Sequence, residues 1–127
     1  MKQRLINWWR VRNNTAIFVF GSNLAGYHGG GAAFAAREQY GAEWGVGEGA
    51  TGRSYALPTM DEDLQPRELR DIAYSVDLFI EYAELHPGLT FLVTKVGCGI
   101  AGFTEAQIGP MFEYAPDNCV LPDGWRV

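Results

Sequence analysis

Apolar residues along this chain recur in two patterns, short unbroken runs and a longer stretch with helical spacing. Ala16-Ile17-Phe18-Val19-Phe20 is a run of strand formers closed by Gly21, the pattern of a strand buried on both faces. Beyond a glycine-rich turn, Ala32-Ala33-Phe34-Ala35-Ala36-Arg37 is helical by propensity and small enough to lie close against a sheet. Gly41 to Gly52 reads as a loop, and Ser54-Tyr55-Ala56-Leu57-Pro58 as a second strand stopped by its proline. From Pro66, a favourable first helical position, Leu69, Ile72, Ala73, Val76, Ile80 and Ala83 repeat at three and four residues. They predict a long amphipathic helix ended by His86-Pro87-Gly88. Leu89 to Val96 predicts a strand and Gly97 to Gly102 a tight loop. Thr104 with Gln107 forms a capping-box signature for a helix burying Ile108, Met111, Phe112 and Ala115, with Gly109-Pro110 as the alternative start because proline beyond a first turn removes a hydrogen bond. Cys119-Val120-Leu121 predicts a short strand.

Strands alternating with helices, joined by connections long enough to cross over, imply an α/β domain with a mostly parallel sheet and helices on its faces. Ligands of such sheets sit beyond the carboxyl ends of the strands. A chain of 127 residues fits one such domain over its whole length. The composition sharpens where to look. Of the 16 glycines, ten lie between Gly21 and Gly52 and three at Gly97, Gly99 and Gly102. Two of these clusters follow apolar strands, so both belong to the ligand edge.

Charge and cysteine narrow the partners. Fifteen acids against ten bases give a net charge of -5, the wrong sign for holding nucleic acid by phosphate neutralisation. Lys2, Arg4, Arg10 and Arg12 crowd the first twelve positions, while eight acids lie between Asp61 and Glu84, so a basic segment beside an acidic helix is expected. Two cysteines, Cys98 and Cys119, form no disulfide framework, and no stretch has signal-peptide or membrane-spanning length. The expectation is a cytoplasmic protein without nucleic-acid or membrane partners.

The first loop, FGSNLAGYHGGGAAFAA, sets Gly29, Gly30 and Gly31 just before a helix, where free amides and the helix dipole favour an anion. It is neither Gly-x-Gly-x-x-Gly nor a Gly-Lys-Ser/Thr loop, so a standard dinucleotide dehydrogenase and a P-loop nucleotidase are not supported. The second loop, VGCGIAGF, offers another run of small residues able to wrap a phosphate. Two such loops on one edge suit a diphosphate.

The order of apolar strand, asparagine, triple glycine and small helix, followed late in the chain by Gly97-Cys98-Gly99-Ile100-Ala101-Gly102-Phe103, resembles the macrodomain family, in a compact variant of bacterial or phage type. The resemblance spans roughly residues 16 to 115 in order, with motif matches at the two loops. It implies a three-layer α/β/α fold and binding of ADP-ribose or a derived nucleotide, with hydrolysis of an ADP-ribosyl linkage as a further activity. By that resemblance Asn23 contacts the distal ribose, Gly29 to Gly31 and the second loop contact the diphosphate, and Phe103 lies by the distal ribose. Gly21 and Ser22, at the head of the first loop, join the ligand-binding set. The family's upstream aspartate, which takes the adenine amino group, has no counterpart because no acid precedes Glu38; Asn13 and Asn14 stand nearest that place.

Individual residues carry competing readings. Asn23 suits a turn as well as a ligand. His28 is a candidate base or phosphate donor, or a lone surface histidine. Cys98 is a nucleophile only if its thiolate is stabilised, and otherwise a small buried filler. Asp61 is a candidate catalytic acid, and Asp63 a cap for the helix at Pro66. Glu38 reads as solvated, and Trp8, Trp9 and Trp125 as packing, with adenine stacking open to the first two. No metal and no cofactor are predicted. The alternative to ADP-ribose hydrolysis is a non-catalytic module that sequesters a nucleotide-derived signal, and a third reading is Cys98-dependent hydrolysis.

Overall fold

The computed structural model describes residues 16–126. The expectations for the basic N-terminal cluster, Trp8, Trp9, Asn13 and Asn14 lie outside those residues. Five strands form one sheet in the order β2-β3-β1-β4-β5. They are β1 (Ala16–Asn23), β2 (Gly49–Thr51), β3 (Ser54–Met60), β4 (Thr90–Val93) and β5 (Cys119–Val120). All neighbours pair in parallel except β2, which runs antiparallel to β3. The helices are α1 (Gly31–Tyr40), α2 (Leu69–Leu85) and α3 (Glu105–Ile108), the last continued by a 3₁₀ turn over Gly109–Phe112.

The alternation of side chains along β1 divides the core. Ile17 and Val19 join Tyr55, Leu57 and the buried face of α2, whereas Phe20 joins Ala33, Ala36 and Ala56 under α1. The two helices therefore cover opposite faces, as period-two alternation requires of a central strand. On the α2 side Phe79 anchors an aromatic cluster, 5.0 Å from Tyr55 and 5.4 Å from Phe91 between ring centroids. Alanines on the buried side of α1 let it approach the sheet closely, and Gly41 ends it in the left-handed region at φ 73°.

Several boundaries differ from the sequence expectation for identifiable reasons. β1 runs on past Gly21 to Asn23 because β3 pairs with it that far, through a register shift after Ser22. Pro58 does not stop β3: β2 has already ended beside it, and the Pro58 carbonyl accepts from Arg67 Nη1 at 2.8 Å. α2 starts at Leu69 and not at Pro66, which pairs with Met60 across a turn, so Asp63 caps no helix. β4 stops at Val93 because Thr94 turns its Oγ1 onto the Val19 carbonyl at 2.8 Å. The Gly41 to Gly52 stretch contains β2, a strand too short and glycine-rich to show as one. The capping box at Thr104 and Gln107 forms in full, and both proposed starts near Pro110 are used, the α-helix ending where the 3₁₀ turn takes the proline. Trp125 is buried against Phe112.

The end of α2 is closed by one side chain. Asn118 Nδ2 donates to the carbonyls of Ala83, His86 and Leu89 at 3.0, 3.0 and 3.1 Å, tying helix, turn and β5 together. Asn118→Ala is expected to cost about 1–3 kcal/mol, since each carbonyl loses one hydrogen bond in a half-buried setting, those of Ala83 and His86 keeping a backbone amide; urea unfolding measures it.

Candidate functional site

Sheet order puts the carboxyl end of β1 between those of β3 and β4, and the chain leaves all three strands into one cleft of about 600 Å³, within the usual range for small-molecule sites of about 300–1,000 Å³. From the first loop it is lined by Gly21, Asn23 and Gly29 to Gly31, and from the second by Gly97, Gly99, Ile100 and Ala101. The two glycine clusters thus meet, as their positions after neighbouring strands require.

The glycines fall into two kinds. A Cβ on Gly29, Gly30 or Gly31 would meet nothing within 4 Å, so these open onto the cleft. A Cβ on Gly47 would strike the Asn23 carbonyl and the Leu24 backbone, one on Gly26 would strike Gly45, and one on Gly52 the Gly41 carbonyl. The first two bring the middle stretch against the first loop, and the third folds that stretch back on the end of α1. Gly45 N donates to the Gly26 carbonyl at 2.9 Å, and Ser22 Oγ donates to the Gly47 carbonyl.

Residues with unpaired amides line the cleft on both sides. Gly30 caps α1 with an extended backbone and no side-chain bond, the first turn holds no acid, and the first bond of the helix runs from Phe34 N to the Gly30 carbonyl at 3.2 Å. The amides of Gly31, Ala32 and Ala33 therefore lack the intrahelical partner that later residues have. Across the cleft, Cys98 N bonds Lys95, Gly102 N bonds Gly99 and Phe103 N bonds Gly97, which leaves the amides of Gly99, Ile100 and Ala101 without a backbone acceptor among the described residues. Among the described residues the one cation in the lining is Lys95, 3.2 Å from Glu105 in an exposed ion pair, and no acid lines the cleft.

The side chains expected to act take other positions. Asn23 is buried and lines the cleft, but its Oδ1 accepts from Tyr27 N and its Nδ2 donates to the Tyr27 carbonyl, both at 2.9 Å, so it closes the first loop. His28 is not at the surface: it is fully buried behind the cleft, its ring edge-on to Phe20 at 5.2 Å. Its Nε2 lies 2.9 Å from the Glu43 carbonyl and so must donate, and its buried Nδ1 has no partner among the described residues. Asp61 does not reach the cleft; its Oδ1 accepts from Asp63 N at 2.9 Å and Gln65 N at 3.0 Å. Ser22 is buried on Gly47, and Gly102 lies off the lining. Cys98 and Phe103 turn from the cleft to pack on the α2 side of the core. Burial first, and Glu105 second, push the Cys98 thiol up from its ordinary value against the pull of Lys95, while burial takes Cys119 up to about 12. Neither cysteine is set up as a thiolate.

Sequence reasoning missed Tyr27, Thr59, Met60, Leu64, Thr94 and Lys95 in the lining. Four of these lie at or just past the ends of β3 and β4, where the carboxyl-edge rule could have placed them, and Leu64 is a lone apolar residue in the polar turn Asp61 to Gln65. Among the described residues no group of three or more metal-binding side chains could hold an ion, and no helix is long and apolar enough to cross a membrane. Compared with models of known families, with curated proteins and with solved structures, the chain matches none.

Gly47→Ala is expected to destabilise the fold by about 1–3 kcal/mol through overpacking, and Gly29→Ala to leave stability within about 0.5 kcal/mol; urea midpoints separate them. Alkylation of Cys98 and Cys119 by iodoacetamide at neutral pH is expected to run slower than that of a free cysteine, read by mass spectrometry, because less of either thiol is ionised there.

Proposed function

We propose that this chain binds ADP-ribose or a nucleotide derived from it, and that its fold is a compact macro-like α/β/α arrangement. The observation that carries the reading is the pair of unpaired amide sets, Gly31 to Ala33 and Gly99 to Ala101, in the lining of one cleft. Each set favours negative charge, one through the dipole of α1 and the other as a turn of successive N–H groups. A single phosphate would engage one set; a diphosphate spans both. Glycines open to the cleft let the phosphate oxygens come within hydrogen-bond reach of the main chain, which a side chain at Gly29 or Gly30 would prevent.

Holding a ligand, and not turning it over, is the role these groups favour. Among the described residues no carboxylate and no histidine lines the cleft, Asn23 has both polar atoms on Tyr27, and the Cys98 thiol faces the core. General acid–base chemistry needs a group within reach of the transferred proton. The reading is therefore a binding module for a nucleoside diphosphate compound.

Calorimetry with ADP-ribose, ADP and AMP tests it. ADP-ribose and ADP should bind, and AMP, with one phosphate, at least tenfold more weakly. Gly30 has an extended backbone at φ -154° that any residue adopts, so Gly30→Glu should keep the melting temperature and lose affinity by a hundredfold or more, about 3 kcal/mol. Absence of heat with millimolar ADP-ribose would overturn the reading.

A further inference from the structure

Apart from the amides, the cleft presents large apolar side chains: Met60 at the end of β3, Leu64 in the turn after it, and Ile100 in the loop after β4. β3 and β4 flank β1, so Leu64 and Ile100 come to the cleft from its two sides. Leu64 is 45 % exposed and Ile100 81 %, and neither belongs to either core cluster. Single exposed hydrophobics are ordinary. Two that converge on one cleft, with a pliant methionine beside them, make a ligand-facing surface.

The backbone of Leu64 points the same way. It is at φ 62°, the one positive value for a non-glycine among the described residues, in a region suited to glycine or asparagine. The turn is held closed around it: Asp61 N donates to Gln65 O at 2.8 Å, Leu64 N to Asp61 O at 3.2 Å, and Asp61 Oδ1 takes two further amides. A turn that served only to reverse the chain would be easier with glycine. The leucine brings to this position only its side chain, at the cleft.

Most polar side chains of the lining are already engaged within the protein, the half-exposed Tyr27 being the exception. Asn23 bonds Tyr27, Thr94 bonds Val19, Thr59 lies buried at 3.5 Å from the Ser22 carbonyl, and Lys95 pairs with Glu105. Few groups are left to read the donor and acceptor pattern on the edge of a base. Resting on the binding reading above, we infer that Leu64, with Met60 and Ile100, seats the nucleobase of the ligand by its flat apolar face and not by its edge. The substrate class is then nucleoside diphosphate compounds of broad base identity.

Hypoxanthine differs from adenine at the edge while keeping the face, so the inosine counterpart of ADP-ribose is the discriminating probe. Calorimetry should give affinities for the two within about threefold. Leu64→Ala should weaken both equally, by about five- to tenfold for partial loss of a leucine's apolar contact. Leu64→Gly should weaken them as much while melting within about 2 °C of the unsubstituted protein or above it, because glycine relieves the positive φ. A preference for adenine above tenfold would overturn the seat and leave the diphosphate reading standing, as would unchanged affinity in both Leu64 variants. A fall in melting temperature beyond 5 °C in Leu64→Gly would assign the leucine to folding and overturn the seat. Failure of both compounds to bind would overturn the diphosphate reading, and the seat with it.

Discussion

Close contact between two stretches of main chain underlies the site. The segment from Gly41 to Gly52 lies so near the end of β1 and the loop after it that Gly26 and Gly47 have no room for a Cβ. Because backbone meets backbone there, the loop is fixed by main-chain and short side-chain bonds: Gly45 to Gly26, Ser22 to Gly47, and Asn23 to Tyr27. His28 completes the brace by reaching the Glu43 carbonyl. The open glycines at positions 29 to 31 follow directly from this clamped segment. A cradle made of amides is useful only if the amides are held in place before the ligand arrives.

Much of the fold was legible, and the errors share a cause. Apolar runs located β1, β3 and β4, and helical spacing located α2, because one buried face leaves a strong periodic trace. The ends were misjudged where tertiary pairing overrides a local signal. Pro58 stays within a strand because β2 does not reach it and β1 alone pairs beside it, and Pro66 fails to start a helix because Met60 pairs with it. β2 left no trace, since Gly49-Ala50-Thr51 gains its strand form from the hairpin with β3 and not from its own residues.

The site was legible as backbone and much less so as side chains. Glycine clusters after two strands gave the two walls. Asn23, His28 and Asp61 were weighed by what their groups can do, but each is engaged by a nearby main-chain partner that no spacing rule reveals. Conversely, Met60 and Leu64 join the expected Ile100 in the lining, although they are residue types that sequence reasoning assigns to cores. The net charge of -5 also misleads if applied locally, because the cleft contains no acid among the described residues and one lysine.

A recognition surface made mainly of peptide groups has an unusual relation to mutation. Peptide N–H groups are common to every residue except proline, so exchanges among the side chains around the cleft leave its hydrogen-bond donors intact. What cannot change is the empty volume at a handful of positions. Functional constraint on such a protein is thus carried by omission, and a scan of substitutions would show it as intolerance to added atoms at the glycines, with tolerance at many of the polar residues between them.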